Sequence, residues 1–194
     1  WPFWPIEQKS QLTQIIKEDF PQHAEALIAQ AKEYLLGRYR LLEPHVRDLK
    51  TLSLNLAQEN KHEPTYLPWH YDWVKPYRWD PKKNYLDCEY ESFDGIDVKF
   101  PWELSRMNHL VTMAQAYLLT EDESFANEVA VQISDWWKHN PPGYGVNWAC
   151  SMDVGMRAAN VLMALGLLGD KFLKSRESLA RFLPAFFYHH AAHI

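Results

Sequence analysis

The sequence predicts an all-α protein: an incomplete (α/α) toroid built from antiparallel helical hairpins, with an irregular, aromatic-rich N-terminal segment. Three observations predict it. From residue 102 onward, apolar residues recur at helical spacing over long stretches. The connections between those stretches are short, which makes consecutive helices antiparallel neighbours. The proline- and aromatic-rich stretch between residues 43 and 100 sustains no strand-like alternation. Stacked αα hairpins form either a solenoid or a closed toroid. Without a sequence-level repeat, and with one irregular rim, the toroid is the more natural of the two, and both stay open. On this reading residues 1–101 are a helical lead-in and aromatic-rich wrap, and residues 102–194 are the hairpin segment, in one structural domain.

The elements follow in order. Pro2 and Pro5 make residues 1–9 extended. Ser10 is a candidate cap for a short helix through Lys17. A second helix is expected from Pro21, a good first-turn residue, to Leu42, with an apolar stripe of Ala24, Leu27, Ala31, Tyr34 and Leu35. Residues 43–100 read as an ordered, aromatic-pinned wrap on a surface or rim. Four helices then follow: 102–119, 123–138 with Asp122 as N-cap, 148–168 ending near Gly169, and 176–194.

Composition bounds the function. The 194 residues suit one domain or part of a larger one, and 47% apolar with 23% charged residues is globular rather than disordered. Aromatics reach 14%, which serves a large core and also suits sugar-binding platforms. A net charge of −5, a pI near 6.0 and no basic block argue against a nucleic-acid partner. A local basic cleft on an acidic protein leaves an anionic polysaccharide open. Cys88 and Cys150 define neither a disulfide framework nor a zinc site. No apolar run reaches the roughly 18 residues of a membrane span, so no membrane partner is expected. GxSxG, P-loop and GxGxxG motifs are absent, and no cofactor is expected. The chain opens on Trp1 rather than Met, without a signal peptide, and "LARFLPAFFYHHAAHI" is helical with no stop signal. A fragment of a longer protein is the expectation.

Candidate chemistry gathers in two stretches. Trp102, Arg106, His109 and Met113 share one face of a helix, opposite Leu104, Val111, Ala114 and Leu118. This face is either solvated, with a Glu103–Arg106 pair, or the lining of a polar cavity. In "NPPGYGVNWACSMDVGMRAANV", Asp153, Arg157 and Asn160 form a polar stripe beside Val154, Ala158, Val161 and Leu165, and the spacing pairs Asp153 with Arg157. Asn147 has two readings. As an N-cap, its side-chain oxygen accepts a backbone N–H of residue 149 or 150, worth about 1 kcal/mol. As a catalytic group, its amide hydrogens hold a uronate carboxylate and stabilise the enolate-like charge that forms when the α-proton leaves. His189 and His193 stand at i, i+4, but without HExxH or a nearby acidic ligand they fall short of a metal site. A paired-carboxylate glycosidase stays open, although no two acids are singled out.

Within residues 97–165, "VKFPWELSR", the "AYLLTEDESFA" hairpin, "W…NPP" and "GVNW…S.D…R..N" occur in that order. This combination resembles the heparinase II/III family of polysaccharide lyases, and the tail "HAAHI" is similar to a following helix in that family. Residues 1–90 match only loosely. The resemblance implies an (α/α) toroid followed by an antiparallel β-sheet domain, and β-elimination of uronic-acid-containing, glycosaminoglycan-like polysaccharide. It implies that Asn147 takes the place of the asparagine that neutralises the uronate carboxylate. The family's catalytic tyrosine and histidines lie further along its chain; Tyr188 and His190 come too early for those roles. Asp153 departs mildly from the family's usual glutamate. Trp102, Arg106, His109, Trp148, Arg157, Asn160 and His190 become candidate substrate-binding residues. Arg106 and Arg157 either meet a sulfate or carboxylate of the substrate or buttress the helix starts. No metal is expected. The expected partners are an anionic polysaccharide and the remaining C-terminal part of the same protein, in the periplasm or outside the cell.

Overall fold

A computed structural model describes residues 8–61, 63–90 and 94–194, so most of the extended lead-in expected at 1–9 lies outside the described residues. The described chain is mostly helical, with two small two-stranded ribbons.

Helix α1 spans Lys9–Asp19 and buries no residue of its own. Ser10 sits inside its first turn rather than capping it. Lys9 tethers the helix instead, donating from Nζ to the carbonyls of Gly166 (2.9 Å) and Leu167 (2.6 Å). Helix α2, Pro21–Leu35, begins on its proline and buries Ala24 and Ala31, while Leu27, Tyr34 and Leu35 pack partly buried on the core. It stops at Leu35 rather than Leu42 because Gly37, at φ 78°, turns the chain into strand β1, Arg38–Tyr39. Strand β2, Arg47–Asp48, pairs antiparallel with it.

The stretch expected to be irregular throughout contains a helix, α3, Leu49–Asn60. Asp48 caps it, accepting from Thr51 N (3.0 Å) and Thr51 Oγ1 (2.8 Å). Its buried face is Leu49, Ser53, Leu56 and Ala57. The spacing is helical, but a serine occupies one inward position and the exposed Leu54 interrupts the pattern. The wrap beyond it holds the ribbon of β3 (Tyr71–Asp72) and β4 (Tyr77–Arg78). Asp72 is fully buried and accepts from the backbone N–H groups of Val74, Lys75 and Asp97 at 2.8, 3.0 and 2.8 Å.

The predicted helix 102–119 is two helices. Helix α4, Lys99–Ser105, and helix α5, Asn108–Thr120, meet at Met107, which has left-handed backbone at φ 61°. Helix α6, Glu123–His139, is capped as expected by Asp122, which accepts from Ser124 N at 2.9 Å. Helix α7, Ser151–Leu168, ends at Gly169. The last predicted helix is α9, Glu177–His193, preceded by a short α8, Asp170–Lys174.

Helix α5 lies at the centre, against α2, α6 and α7. The main core runs through Leu110, Met113, Phe125, Ile133, Trp136, Trp148, Leu165 and Phe186, with Trp69 and Trp73 contributed by the wrap. A smaller cluster of Trp79, Cys88, Val98 and Val146 fastens the wrap to the turn before α7. Helix α7 buries its expected apolar stripe at Val154, Val161 and Leu165, and Asp153 and Arg157 of the polar stripe are buried as well, while Met152, Met156, Leu162 and Met163 face out. By length and a mean hydropathy of 1.2 it could cross a membrane, but half of it is buried within this fold.

Candidate functional site

The turn between α6 and α7 is shaped by its glycines. Tyr144 N donates to Pro141 O (3.0 Å), and Gly143 and Gly145 adopt φ 78° and 76°. At Gly145 a side chain would also meet the His70 ring and the Pro81 backbone, each 3.3 Å from a Cβ built there. The wrap closes onto this turn through Tyr85 N to Gly143 O (3.1 Å), Gly145 N to Lys83 O (2.8 Å) and a bridge between Asn84 and Tyr144. A single 3-10 turn, Val146–Trp148, then delivers Asn147 to the start of α7.

Asn147 is fully buried and does not cap α7; Cys150 holds the N-cap position without a side-chain bond. Its Nδ2 donates to Trp69 O and to Asn140 Oδ1, both at 2.8 Å. A carbonyl oxygen only accepts, so the atom facing Trp69 has to be the nitrogen, and the amide orientation is fixed. Its Oδ1 has no hydrogen-bond partner among the described residues. Asn140 completes the knot: its Nδ2 donates to Trp136 O (2.9 Å) and its backbone carbonyl accepts from Trp148 Nε1 (3.3 Å).

Arg157 lies directly beneath. It is fully buried, and no carboxylate is within ion-pairing distance of it among the described residues. Its Nη2 donates to Asn147 O (3.0 Å), its Nη1 to Ser105 O (3.4 Å) and its Nε to His190 Nε2 (2.9 Å). The guanidinium rests 4.1 Å from the Trp136 ring centre. Burial draws its pKa down to about 9, opposed by the charge of Asp153, so it stays charged at neutral pH. His190 stacks on Phe186 at 4.0 Å and lies 4.8 Å from Trp148. Burial, aided by the Arg157 charge, holds it near 3, and therefore neutral.

The expected Asp153–Arg157 pair does not form. Asp153 Oδ1 accepts instead from Arg106 Nε, across from α4, and Arg106 also pairs with Glu103. The Arg157 side chain is turned inward onto Trp136, out of reach of its i−4 neighbour. Asp153 Oδ2 is buried and has no partner among the described residues. Trp102 is half-buried and donates from Nε1 to Val146 O (2.8 Å), and Asn160 Nδ2 braces the α4–α5 break through Arg106 O (2.8 Å) and Asn108 Oδ1 (2.6 Å). The break at Met107 separates His109 from this group. It is buried between Tyr34 and Tyr39, bonded to Gln132 Oε1 at 2.6 Å, and burial lowers its pKa to about 4.

The structure thus brings Trp102, Arg106, Asn147, Trp148, Arg157, Asn160 and His190 together and leaves His109 apart. Of these, Trp102, Arg106 and Asn160 reach solvent. Sequence reasoning missed His70 and Asn140. His70 bonds through Nε2 to His139 O (3.0 Å) and leaves a buried Nδ1 beside Gly145 with no partner among the described residues; burial holds its pKa near 4. The one sequence signal for Asn140 was its position directly before Pro141 at the end of α6; nothing local marks His70. His189 and His193 face different neighbours, Trp137 (6.2 Å) and Tyr85 (4.7 Å). Among the described residues no three His, Cys, Asp or Glu side chains are grouped to hold a metal ion.

The chain is 28% identical to a heparin-sulfate lyase of Bacteroides stercoris over 149 residues, which is 70% of this chain and 22% of that protein. The chain therefore spans about a fifth of its relative's length. No solved structure matches it significantly. The family described as heparinase II/III N-terminus matches residues 8–194, nearly everything from the first residue of α1's lead-in to the end of α9, and the chain belongs to that family.

Proposed function

We propose that this chain is the N-terminal helical portion of a polysaccharide lyase that cleaves uronic-acid-containing, glycosaminoglycan-like polysaccharide by β-elimination. The observation that carries the reading is membership of the heparinase II/III N-terminal family over residues 8–194. The similarity to a heparin-sulfate lyase supports the substrate class. In this mechanism Asn147 neutralises the uronate carboxylate, a base removes the C5 proton, and the bond to the C4 oxygen breaks to leave a C4–C5 double bond. Base and acid come from residues outside this chain.

The geometry adds a condition. Both amide hydrogens of Asn147 are committed to Trp69 O and Asn140 Oδ1, and the side chain is closed to solvent. To meet a carboxylate, the amide has to exchange those acceptors for the substrate, which requires the wrap segment at Trp69 to draw back. The half-buried surface of Trp102 and Arg106, with Tyr90 5.7 Å from the Trp102 ring, is the adjoining wall for an anionic sugar.

The closure of Asn147 favours a second reading, in which it is a structural pin and the chain is a glycan-binding wall without a catalytic group. One assay separates the two. The whole protein is incubated with a panel of uronate polysaccharides and followed by ultraviolet absorbance. A rise from the C4–C5 double bond, abolished in Asn147→Ala protein that remains folded, supports the lyase. Reducing ends without that absorbance mean a hydrolase, and binding without cleavage means the wall alone.

A further inference from the structure

We infer that Arg157 is the positioning residue of this site: its buried guanidinium sets the backbone at Asn147 and the orientation of the His190 ring. The inference rests on the lyase reading for its kinetic consequence but not for its geometry. Arg157 is fully buried, so it does not meet a sulfate or carboxylate of a bound polymer in this structure. Taking a guanidinium out of water without an ionic partner is unfavourable, and an apolar side chain of similar volume would fill the space without that desolvation. What an apolar side chain would not supply is the fork of donors.

Those donors reach three separate elements. Nη1 points to Ser105 O at the end of α4, Nη2 to Asn147 O in the 3-10 turn, and Nε to His190 Nε2 on α9. The guanidinium is planar and rigid, so the three elements are referred to one plane, which is itself laid on the Trp136 face. The peptide of Asn147 is thereby fixed at its carbonyl, while Asn140 and Trp69 fix its amide group. His190 is equally determined. Its Nδ1 is 2.7 Å from Phe186 O, which only accepts, so Nδ1 carries the proton. Its Nε2 faces Arg157 Nε, which only donates, so Nε2 is the bare acceptor. Neither ring nitrogen has a choice.

The test uses the whole protein with Arg157→Met and Arg157→Lys, measuring thermal midpoint, kcat and KM on the polymer the wild type cleaves, and NMR signals of the His190 ring nitrogens and the Asn147 side-chain amide. Arg157→Met is expected to lower the midpoint, because Ser105 O, Asn147 O and His190 Nε2 are left buried without their donor, so its kcat is read per folded molecule. It is expected to lose about 10–100-fold in kcat, the scale of a displaced catalytic group, with KM changed by less than about threefold. The His190 ring keeps its Nδ1 proton on Phe186 O, and its Nε2 signal should shift as that acceptor loses its donor and the ring orientation loosens. Lysine, one point charge in place of a fork, should rescue folding without rescuing kcat. A kcat that falls only as far as the folded fraction falls overturns the proposal. If the wild type makes no unsaturated product, the lyase reading fails, and the NMR comparison still decides: unchanged His190 and Asn147 signals in Arg157→Met overturn the positioning role, and altered ones uphold it.

Discussion

At the scale of single residues, Asn147 shows what a short motif reveals and what it hides. Its residue type and its place before a helix were legible. Its burial was not, because the acceptor that claims it, Trp69, lies 78 residues away. The same holds for Asp153. The i, i+4 spacing suggests Arg157, but spacing records which side chains are neighbours along one helix, and says nothing of a competing cation on another. Side-chain direction decided the pairing: Arg157 turns onto Trp136, and Arg106 reaches across from α4. Substituting Asn147 by alanine leaves Trp69 O and Asn140 Oδ1 without their donor, at a cost of about 2–3 kcal/mol. Denaturant unfolding measures that cost. Turnover corrected for the folded fraction should fall a further ~100-fold or more if the amide also serves the carboxylate. A corrected turnover close to wild type would make Asn147 a pin only.

At the scale of elements, the helices with strong punctuation were readable. Asp122 opens α6 and Gly169 closes α7 as their chemistry requires. The break between α4 and α5 was not readable, since Met107 is neither glycine nor proline and its left-handed backbone is enforced by packing and by the Asn160 brace. Helix α3 was missed because an inward serine, Ser53, satisfied by Thr65 O at 2.7 Å, interrupts its apolar face. Glu121 offers a test of this scale. It ends α5 at φ 59° with an exposed side chain, a conformation that costs an L-residue about 1 kcal/mol and a glycine almost nothing. Glu121→Gly should therefore raise the thermal midpoint by about 2–4 °C. A lower midpoint would show that the side chain supplies more than the backbone loses.

At the scale of the whole molecule, three buried histidines couple stability to pH. His70 and His109 are held near 4 and His190 near 3, all by burial first, against an ordinary value near 6.5. The folded state therefore binds fewer protons than the unfolded chain as pH falls below 6.5. Their stabilising contribution is complete above that pH and is lost progressively toward pH 4 and below, by up to about 1.4 kcal/mol per pH unit for each ring. His139 has the opposite sign. Asp135 raises its pKa, so its contribution is present at acid pH and is lost as pH rises through its folded value. Calorimetry should show the midpoint falling from about pH 7 to 5, with net proton uptake on unfolding. A flat midpoint over that interval would mean that the three rings are wetter than their burial indicates.

The strap between α3 and α4 carries a consequence for how the molecule is made. It holds the α6–α7 turn in place through bonds from Tyr85 to Gly143 and, across 78 residues of sequence, from Trp69 to Asn147. Contacts of such separation form late, after local hairpins such as α5–α6 have closed. During translation the strap leaves the ribosome before the helices it will clasp. Trp69, Trp73 and Trp79, all buried in the finished protein, then wait uncovered for roughly several seconds until α7 has been synthesised. The nascent chain is therefore most in need of a chaperone while its aromatic clasp has nothing to close upon.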